Sequence, residues 1–283
     1  NPEISIETHP KIATGLKESK FGLPQQMALK AYKKALELPS VRPAGIHCHI
    51  GSQILDLNPF GEALRKLGEV AKEIEKIGVE VEFIDIGGGL GIDYTGEGAP
   101  TPFDLAKKLN PIFEEIKAGL KAEAKLWLEP GRSIVGNTTI LLTKVNAVKK
   151  TAKNFVGVDA GFNLLIRPVM YNAYHRVAVA NKMNWPAEEV YTVVGPICEA
   201  GDVIAKDRKL PRVEKGDIIA VFDVGAYGFV MSSQYNGRRR CAEVLVEGGK
   251  WQVIREREGF PVSYTHLRAH ETEADLVCRL LLE

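Results

Sequence analysis

Cysteine is scarce: Cys48, Cys198, Cys241 and Cys278 are the four among 283 residues, far apart and without a CxxC pair. That disfavours both a disulfide framework and a zinc site, so each reads as a free thiol. Long apolar runs are also missing. None approaches the roughly 20 residues of a membrane-crossing helix, and Asn1-Pro2-Glu3-Ile4 lacks the basic-then-apolar order of a signal peptide. A soluble, cytoplasmic protein with no membrane partner is the expectation. Neither sign of charge is in excess. Thirty-seven basic residues stand against 36 acidic ones, a formal charge of +1, so nothing electrostatic favours nucleic acid. What is present is 45% hydrophobic residues, enough for one large domain or two ordinary ones with proper cores.

Up to about residue 130, short apolar runs alternate with longer segments of helical spacing. Strands are predicted at Ile4-Glu7, Gly45-His49, Phe83-Ile86 and Lys125-Leu128, and helices near Pro24-Leu38, Phe60-Ile77 and Thr101-Ala122. Asn58-Pro59 is a start signal for the second helix. Each glycine-rich or polar cluster sits just after a strand, as in an α/β barrel or a doubly wound sheet. Beyond Arg132 the texture turns β-rich: Thr139-Val148, Asn154-Val158, Val190-Val194, Asp217-Asp223, Ala242-Val246 and Trp251-Arg255. The expected domains are therefore 1–133, α/β, and 134–261, a mainly antiparallel β-domain. Residues 262–283 continue no earlier pattern and resemble translated cloning sequence, so no function is read from them.

His47-Cys48-His49-Ile50-Gly51-Ser52-Gln53 ends a strand, and at period two both histidines face one side. Several roles compete: two metal ligands, an imidazole lying flat on a planar cofactor with Ser52 on its phosphate, or an ordinary core histidine beside a hydrogen-bonded one. The metal reading wants further ligands, and His9, His175, His266 and His270 are poorly placed to supply them. No metal is expected. Gly87-Gly88-Gly89-Leu90-Gly91 follows the next strand, where unobstructed N–H groups could meet an anion, although a tight turn would use the same glycines. It is neither G-x-G-x-x-G nor G-K-[ST]. Glu129-Pro130-Gly131-Arg132 ends the fourth strand and places an acid and a base at the same mouth. An ion pair capping a turn is the plain reading. Alternatively, Glu129 keeps a heteroaromatic nitrogen protonated and Arg132 binds phosphate or carboxylate. The three strand ends together supply the polar needs of pyridoxal phosphate except its lysine.

The second domain carries Asp159-Ala160-Gly161-Phe162-Asn163, Arg167-Pro168-Val169-Met170-Tyr171 and Gly195-Pro196-Ile197-Cys198-Glu199-Ala200-Gly201-Asp202. A carboxylate beside Cys198 disfavours thiolate and suits a proton donor, against the alternative of a small buried hydrophobe. Tyr227, in Gly225-Ala226-Tyr227-Gly228, is either a hydroxyl satisfied by backbone or a phosphate ligand.

In order, HxHIGSQ, GGGLGI, EPGR, DAGFN with LIRPVMY, GPICEAGD, and GAYG with MSSQYN resemble the fold-type III pyridoxal-phosphate-dependent amino-acid decarboxylases, over about residues 1 to 260. The resemblance implies a (β/α)8 barrel of the TIM type, of which 1–133 would be the C-terminal part, followed by a β-domain. It also implies pyridoxal 5'-phosphate as cofactor, an amino-acid substrate, and a head-to-tail homodimer with shared active sites. Carried over by position, His49 would stack on the pyridine ring. Ser52, Gly87, Gly88 and Gly89 would hold the phosphate and Glu129 would face the ring nitrogen, with Gly131, Arg132 and Tyr227 also at the cofactor. Arg132, Arg167, Tyr171, Tyr227 and Glu199 would bind substrate, and Cys198 of the partner subunit would return the proton after carbon dioxide leaves. Glu199 after Cys198 favours diaminopimelate over ornithine. The chain departs from the family at its front: no Tyr-x-x-Lys-Ala-Asn-type segment is found, Lys20 is not a substitute, and the equivalent region would precede Asn1. Half a barrel would expose strand edges, so this stretch by itself is expected to be poorly stable and inactive. Decarboxylation of ornithine, arginine or a carboxypolyamine, or a non-catalytic regulatory role, are the alternatives.

Overall fold

The computed structural model describes residues 1–4, 6, 9, 12, 14, 15 and 19–260. The strand expected over Ile4–Glu7 falls partly on residues outside that set, and the tail from 262 lies wholly outside it. Two compact units result, Asn1–Thr139 and a second beginning at Ile140; the sequence pattern had placed the change near residue 133. Among the described residues no helix is long and apolar enough to cross a membrane.

The first unit is α/β. Strands β1 (Gly45–His47), β2 (Phe83–Asp85) and β3 (Lys125–Trp127) form a parallel sheet in that order. The register aligns His47 with Asp85 and Asp85 with Trp127, so equivalent strand ends lie side by side. Helix α1 (Gln25–Leu36) buries no residue fully and is pinned where Tyr32 Oη donates to the Gly45 carbonyl at 2.6 Å. Helix α2 (Asn58–Lys76) has Pro59 in its first turn, where a missing N–H costs nothing. Its Phe60, Leu64, Leu67, Ala71 and Ile74 recur at helical spacing and form its buried stripe. Helix α3 (Pro102–Ala118) begins at a capping box: Thr101 Oγ1 accepts from the Asp104 N–H, and the Asp104 carboxylate accepts from the Thr101 N–H. Its Leu105, Leu109, Ile112 and Ile116 join the same core with Ile84, Ile86, Ile50 and Ile54. A four-residue helix α4 (Arg132–Val135) follows β3.

The second unit is built on a six-stranded sheet of β4 (Leu141–Lys150), β5 (Asn154–Val158), β6 (Val177–Val179), β7 (Glu189–Val194), β8 (Val203–Leu210) and β9 (Ile218–Val221). The order is β6-β9-β4-β5-β7-β8. Every pairing is antiparallel except β5 with β7, which is parallel. β6 and β8 escape the sequence pattern because Val177–Val179 is three residues long and Val203–Leu210 carries a charged run, Lys206-Asp207-Arg208-Lys209. Val145, Val156, Tyr191, Val193, Ile204, Ile219 and Val221 fill the core. A separate hairpin, β10 (Glu243–Glu247) with β11 (Lys250–Arg255), closes the described chain. A short helix α5 (Arg167–Tyr171) ends at Asn172, whose φ of 50° is the left-handed stop that asparagine tolerates.

Candidate active site

In the first unit, three strand ends converge. The chain leaving β1 carries Cys48 inward, buried, and turns His47 and His49 to the other side, as the alternation requires. The His47 ring Nε2 lies 3.2 Å from Glu129 Oε2. The Gly88 N–H donates to His49 Nδ1 at 3.1 Å. An Nδ1 that accepts cannot carry the proton, so neutral His49 holds it on Nε2. Burial lowers the His49 pKa, and the Glu129 charge offsets this in part. Burial also pushes the Cys48 thiol up to about 12, which makes it an inert core side chain.

The glycine run is what allows the ends to close together. A Cβ on Gly87 would stand 2.6 Å from the Cys48 carbonyl oxygen and 2.8 Å from His49 Nδ1, and one on Gly88 would collide with the Glu129 carbonyl oxygen. Gly87 also needs φ of 71°. Its N–H donates to Asp85 Oδ1 at 2.8 Å, so the Gly87 and Gly88 amides both bond inside the protein here. These two bonds and the absence of a Cβ give both glycines a role in strand-end packing.

Arg132 is buried and does not pair with Glu129. It donates to Tyr94 Oη at 2.7 Å and to Ser52 Oγ from Nη2 at 3.0 Å, fixing the serine hydroxyl that the sequence marks for phosphate. Tyr94 and Asp85 were missed by the sequence reading; a carboxylate inside a strand as apolar as Phe83-Ile84-Asp85-Ile86 was the available signal. The ligand atoms of His47, Asp85 and Glu129 lie within 4.8 Å of one another, a set that could hold a cation. The two carboxylates supply what the remaining histidines of the sequence do not. Two carboxylates and an imidazole also suit a protonated ring nitrogen. An imidazole bonded to the Gly88 amide, a hydroxyl held by Arg132 and a glycine run stand at neighbouring strand ends with these groups, a set of side chains that fits pyridoxal phosphate.

In the second unit, the loops after β5 and β7 are joined by Asp202. Its Oδ1 accepts from the Phe162 N–H at 2.7 Å and its Oδ2 from the Ile197 N–H at 2.8 Å. Burial raises the Asp202 pKa in spite of both donors. The loop presents Cys198 and Glu199 exposed, contrary to the buried-thiol alternative. The Asn236 side-chain amide donates to Cys198 Sγ at 3.2 Å, and Tyr235 Oη bonds to Glu199. Arg167 is buried and donates from Nη1 to His175 Nε2 at 2.7 Å, while His175 Nδ1–H donates to the Phe222 carbonyl at 2.8 Å. Tyr171 lies in α5 with Arg167, and Tyr227 is partly exposed with φ of 60° on the loop after β9. Among the described residues, the buried Asn163 has no hydrogen-bond partner for either side-chain amide atom.

Residues 1–136 match the family model described as pyridoxal-dependent decarboxylase, pyridoxal binding domain. The chain is 70% identical over 260 residues to a diaminopimelate decarboxylase of Archaeoglobus fulgidus, covering 92% of this chain and 62% of that protein. It is 48% identical to a diaminopimelate decarboxylase of Aquifex aeolicus, covering 92% of this chain and 61% of that one. The crystal structure of diaminopimelate decarboxylase from Helicobacter pylori complexed with L-lysine superposes with a TM-score of 0.87 at 39% identity, covering 95% of this chain and 66% of that chain. The chain thus spans less than two thirds of the length of these relatives.

Proposed function

The chain belongs to the pyridoxal-dependent decarboxylase family, and from that premise we propose that the protein decarboxylates meso-2,6-diaminopimelate to L-lysine and carbon dioxide. The first unit is read as the C-terminal part of a (β/α)8 barrel and the second as the β-domain that follows it. The observation that carries the reading is the meeting of His49, Gly87–Gly88 and Glu129 at adjacent strand ends, linked by the Gly88–His49 and His47–Glu129 contacts.

His49, Ser52, Gly87, Gly88, Gly89, Glu129, Gly131 and Arg132, with Tyr227, would hold pyridoxal 5'-phosphate. When bound, this cofactor supplies the electron-withdrawing ring that takes up the pair left on Cα as carbon dioxide departs. Glu129 keeps the ring nitrogen protonated, because a carboxylate beside it favours the charged form. Arg132 acts through Ser52, whose hydroxyl it orients. Arg167 and Tyr171 bind a substrate carboxylate, and Glu199 takes the distal amino group. Cys198, reaching the site from the partner subunit of a head-to-tail homodimer, delivers the proton to Cα. The names of the Archaeoglobus fulgidus, Aquifex aeolicus and Helicobacter pylori relatives, each a diaminopimelate decarboxylase, and the Cys198-Glu199 pair support this substrate.

The test is to assay the full-length protein, with pyridoxal phosphate, on meso-2,6-diaminopimelate beside ornithine and arginine. Lysine and carbon dioxide from diaminopimelate are expected, with kcat/KM at least about tenfold above the others, a gap of about 1.4 kcal/mol in transition-state binding. Preference for ornithine or arginine would overturn the substrate assignment.

A further inference from the structure

The turn at Tyr235–Gly237 has an unusual backbone. Asn236 sits at φ 57°, ψ 29°, and Gly237 at φ 64°, left-handed conformations that asparagine and glycine tolerate better than other residues. In extended chain, neighbouring side chains point to opposite sides. Here two neighbours reach a single target: Asn236 Nδ2 donates to Cys198 Sγ at 3.2 Å, and Tyr235 Oη bonds to Glu199 Oε1. Two consecutive residues grip two consecutive residues.

The grip is braced on one side. The Tyr235 ring lies 5.3 Å from the Phe162 ring. The Phe162 N–H is held by the same Asp202 carboxylate that takes the Ile197 N–H, next to Cys198. All four gripping and gripped side chains are exposed. Hydrogen bonds between exposed groups add little to stability, since water replaces them readily. Folding alone gives no account of the arrangement.

We propose that the Tyr235–Asn236 turn is a positioning clamp for the Cys198–Glu199 pair, Asn236 aiming the thiol and Tyr235 aiming the carboxylate. The inference rests on the proton-donor role proposed above for Cys198. When the S–H bond breaks, its electron pair stays on sulfur and the proton goes to Cα, so negative charge grows on Sγ. An amide N–H already directed at Sγ stabilises that charge without rearrangement. Tyr235, whose hydroxyl proton is held more tightly because of Glu199, remains a donor and fixes the carboxylate orientation.

The experiment uses the full-length protein loaded with pyridoxal phosphate and compares wild type with Asn236→Ala, Asn236→Asp and Tyr235→Phe. Asp keeps the size and the left-handed preference of asparagine but removes the N–H donor, so it serves where Ala disturbs the turn. Iodoacetamide alkylation of Cys198, followed across pH by peptide mass spectrometry, reads the thiol without any substrate. In both Asn236 variants the alkylation profile is expected to move to higher pH. With diaminopimelate, kcat is expected to fall about tenfold with KM within about twofold, as for loss of an interaction made in the transition state. Tyr235→Phe is expected to raise KM about tenfold with kcat within about twofold, as for loss of an oriented binding group. Asn236 variants that melt like wild type and leave the alkylation profile unmoved overturn the clamp, as does an unchanged KM in Tyr235→Phe. If wild type turns over no diaminopimelate yet the alkylation shift appears, the clamp stands and the substrate assignment fails.

Discussion

At the scale of single residues, His49 carries the clearest pH signature. Its Nδ1 accepts from Gly88, and burial lowers its pKa. Above about pH 6.5, the ordinary imidazole value, folded and unfolded chains both hold it neutral. Below that value the unfolded chain binds a proton that folded His49 resists, so the unfolded state gains protons and stability falls as pH falls. The urea midpoint of the wild type is therefore expected to drop more between pH 7.5 and 5.5 than that of His49→Gln; equal drops in the two proteins would refute this. Arg132 teaches a different lesson. Its nearness to Glu129 in sequence suggests an ion pair, yet the guanidinium turns to Ser52 and Tyr94, and Glu129 meets His47, 82 positions away. Neighbours in sequence at a strand end diverge once the chain turns into α4.

At the scale of elements, Asp202 ties the loop after β5 to the loop after β7 and is the joint on which Cys198 and Glu199 stand. Asp202→Ala leaves the Phe162 and Ile197 amides unpaired in the interior, at a cost of about 1–3 kcal/mol for each. A urea unfolding curve should show a loss of roughly 2–5 kcal/mol with an unchanged slope. Asp202→Asn, which keeps one acceptor oxygen, should lose less. A loss under about 0.5 kcal/mol, the range of an ordinary surface change, in Asp202→Ala would mean that the loops hold without it. The helices of the first unit were legible in outline because a start signal and the apolar period agree: Asn58-Pro59 opens α2, and Phe60 to Ile74 keeps one stripe. Their ends were less so. The third helix stops at Ala118, four residues before the expected Ala122, because Gly119 ends it and the backbone N–H groups of Lys121 and Ala122 donate to the buried Glu75 on α2 instead.

At the scale of the whole molecule, the hairpin β10–β11 is exposed along both strands, with Val246 70%, Trp251 73% and Ile254 60% accessible. An exposed apolar ribbon with free edges is a template for association. The 283-residue chain expressed alone should associate in light scattering at micromolar concentration, and Val246→Lys with Trp251→Lys should reduce that association. A monodisperse monomer with a sharp melt would contradict the expectation. Taken as a sequence, this protein determines its chemistry-bearing segments and their order: HCHIGS, GGGLG, EPGR, GPICEAGD and GAYG stand after apolar runs whose period marks them as strand ends. It also determines the change from βα alternation to β-rich texture, since both are local patterns of hydrophobicity. Tertiary structure alone decided the pairings: His47 with Glu129, Arg132 with Ser52, Arg167 with His175, and Tyr235-Asn236 with Glu199 and Cys198. Most of these contacts join residues 36 to 82 positions apart. Their geometry comes from strand register and from the close approach that Gly87 and Gly88 permit, and a local period carries no information about either.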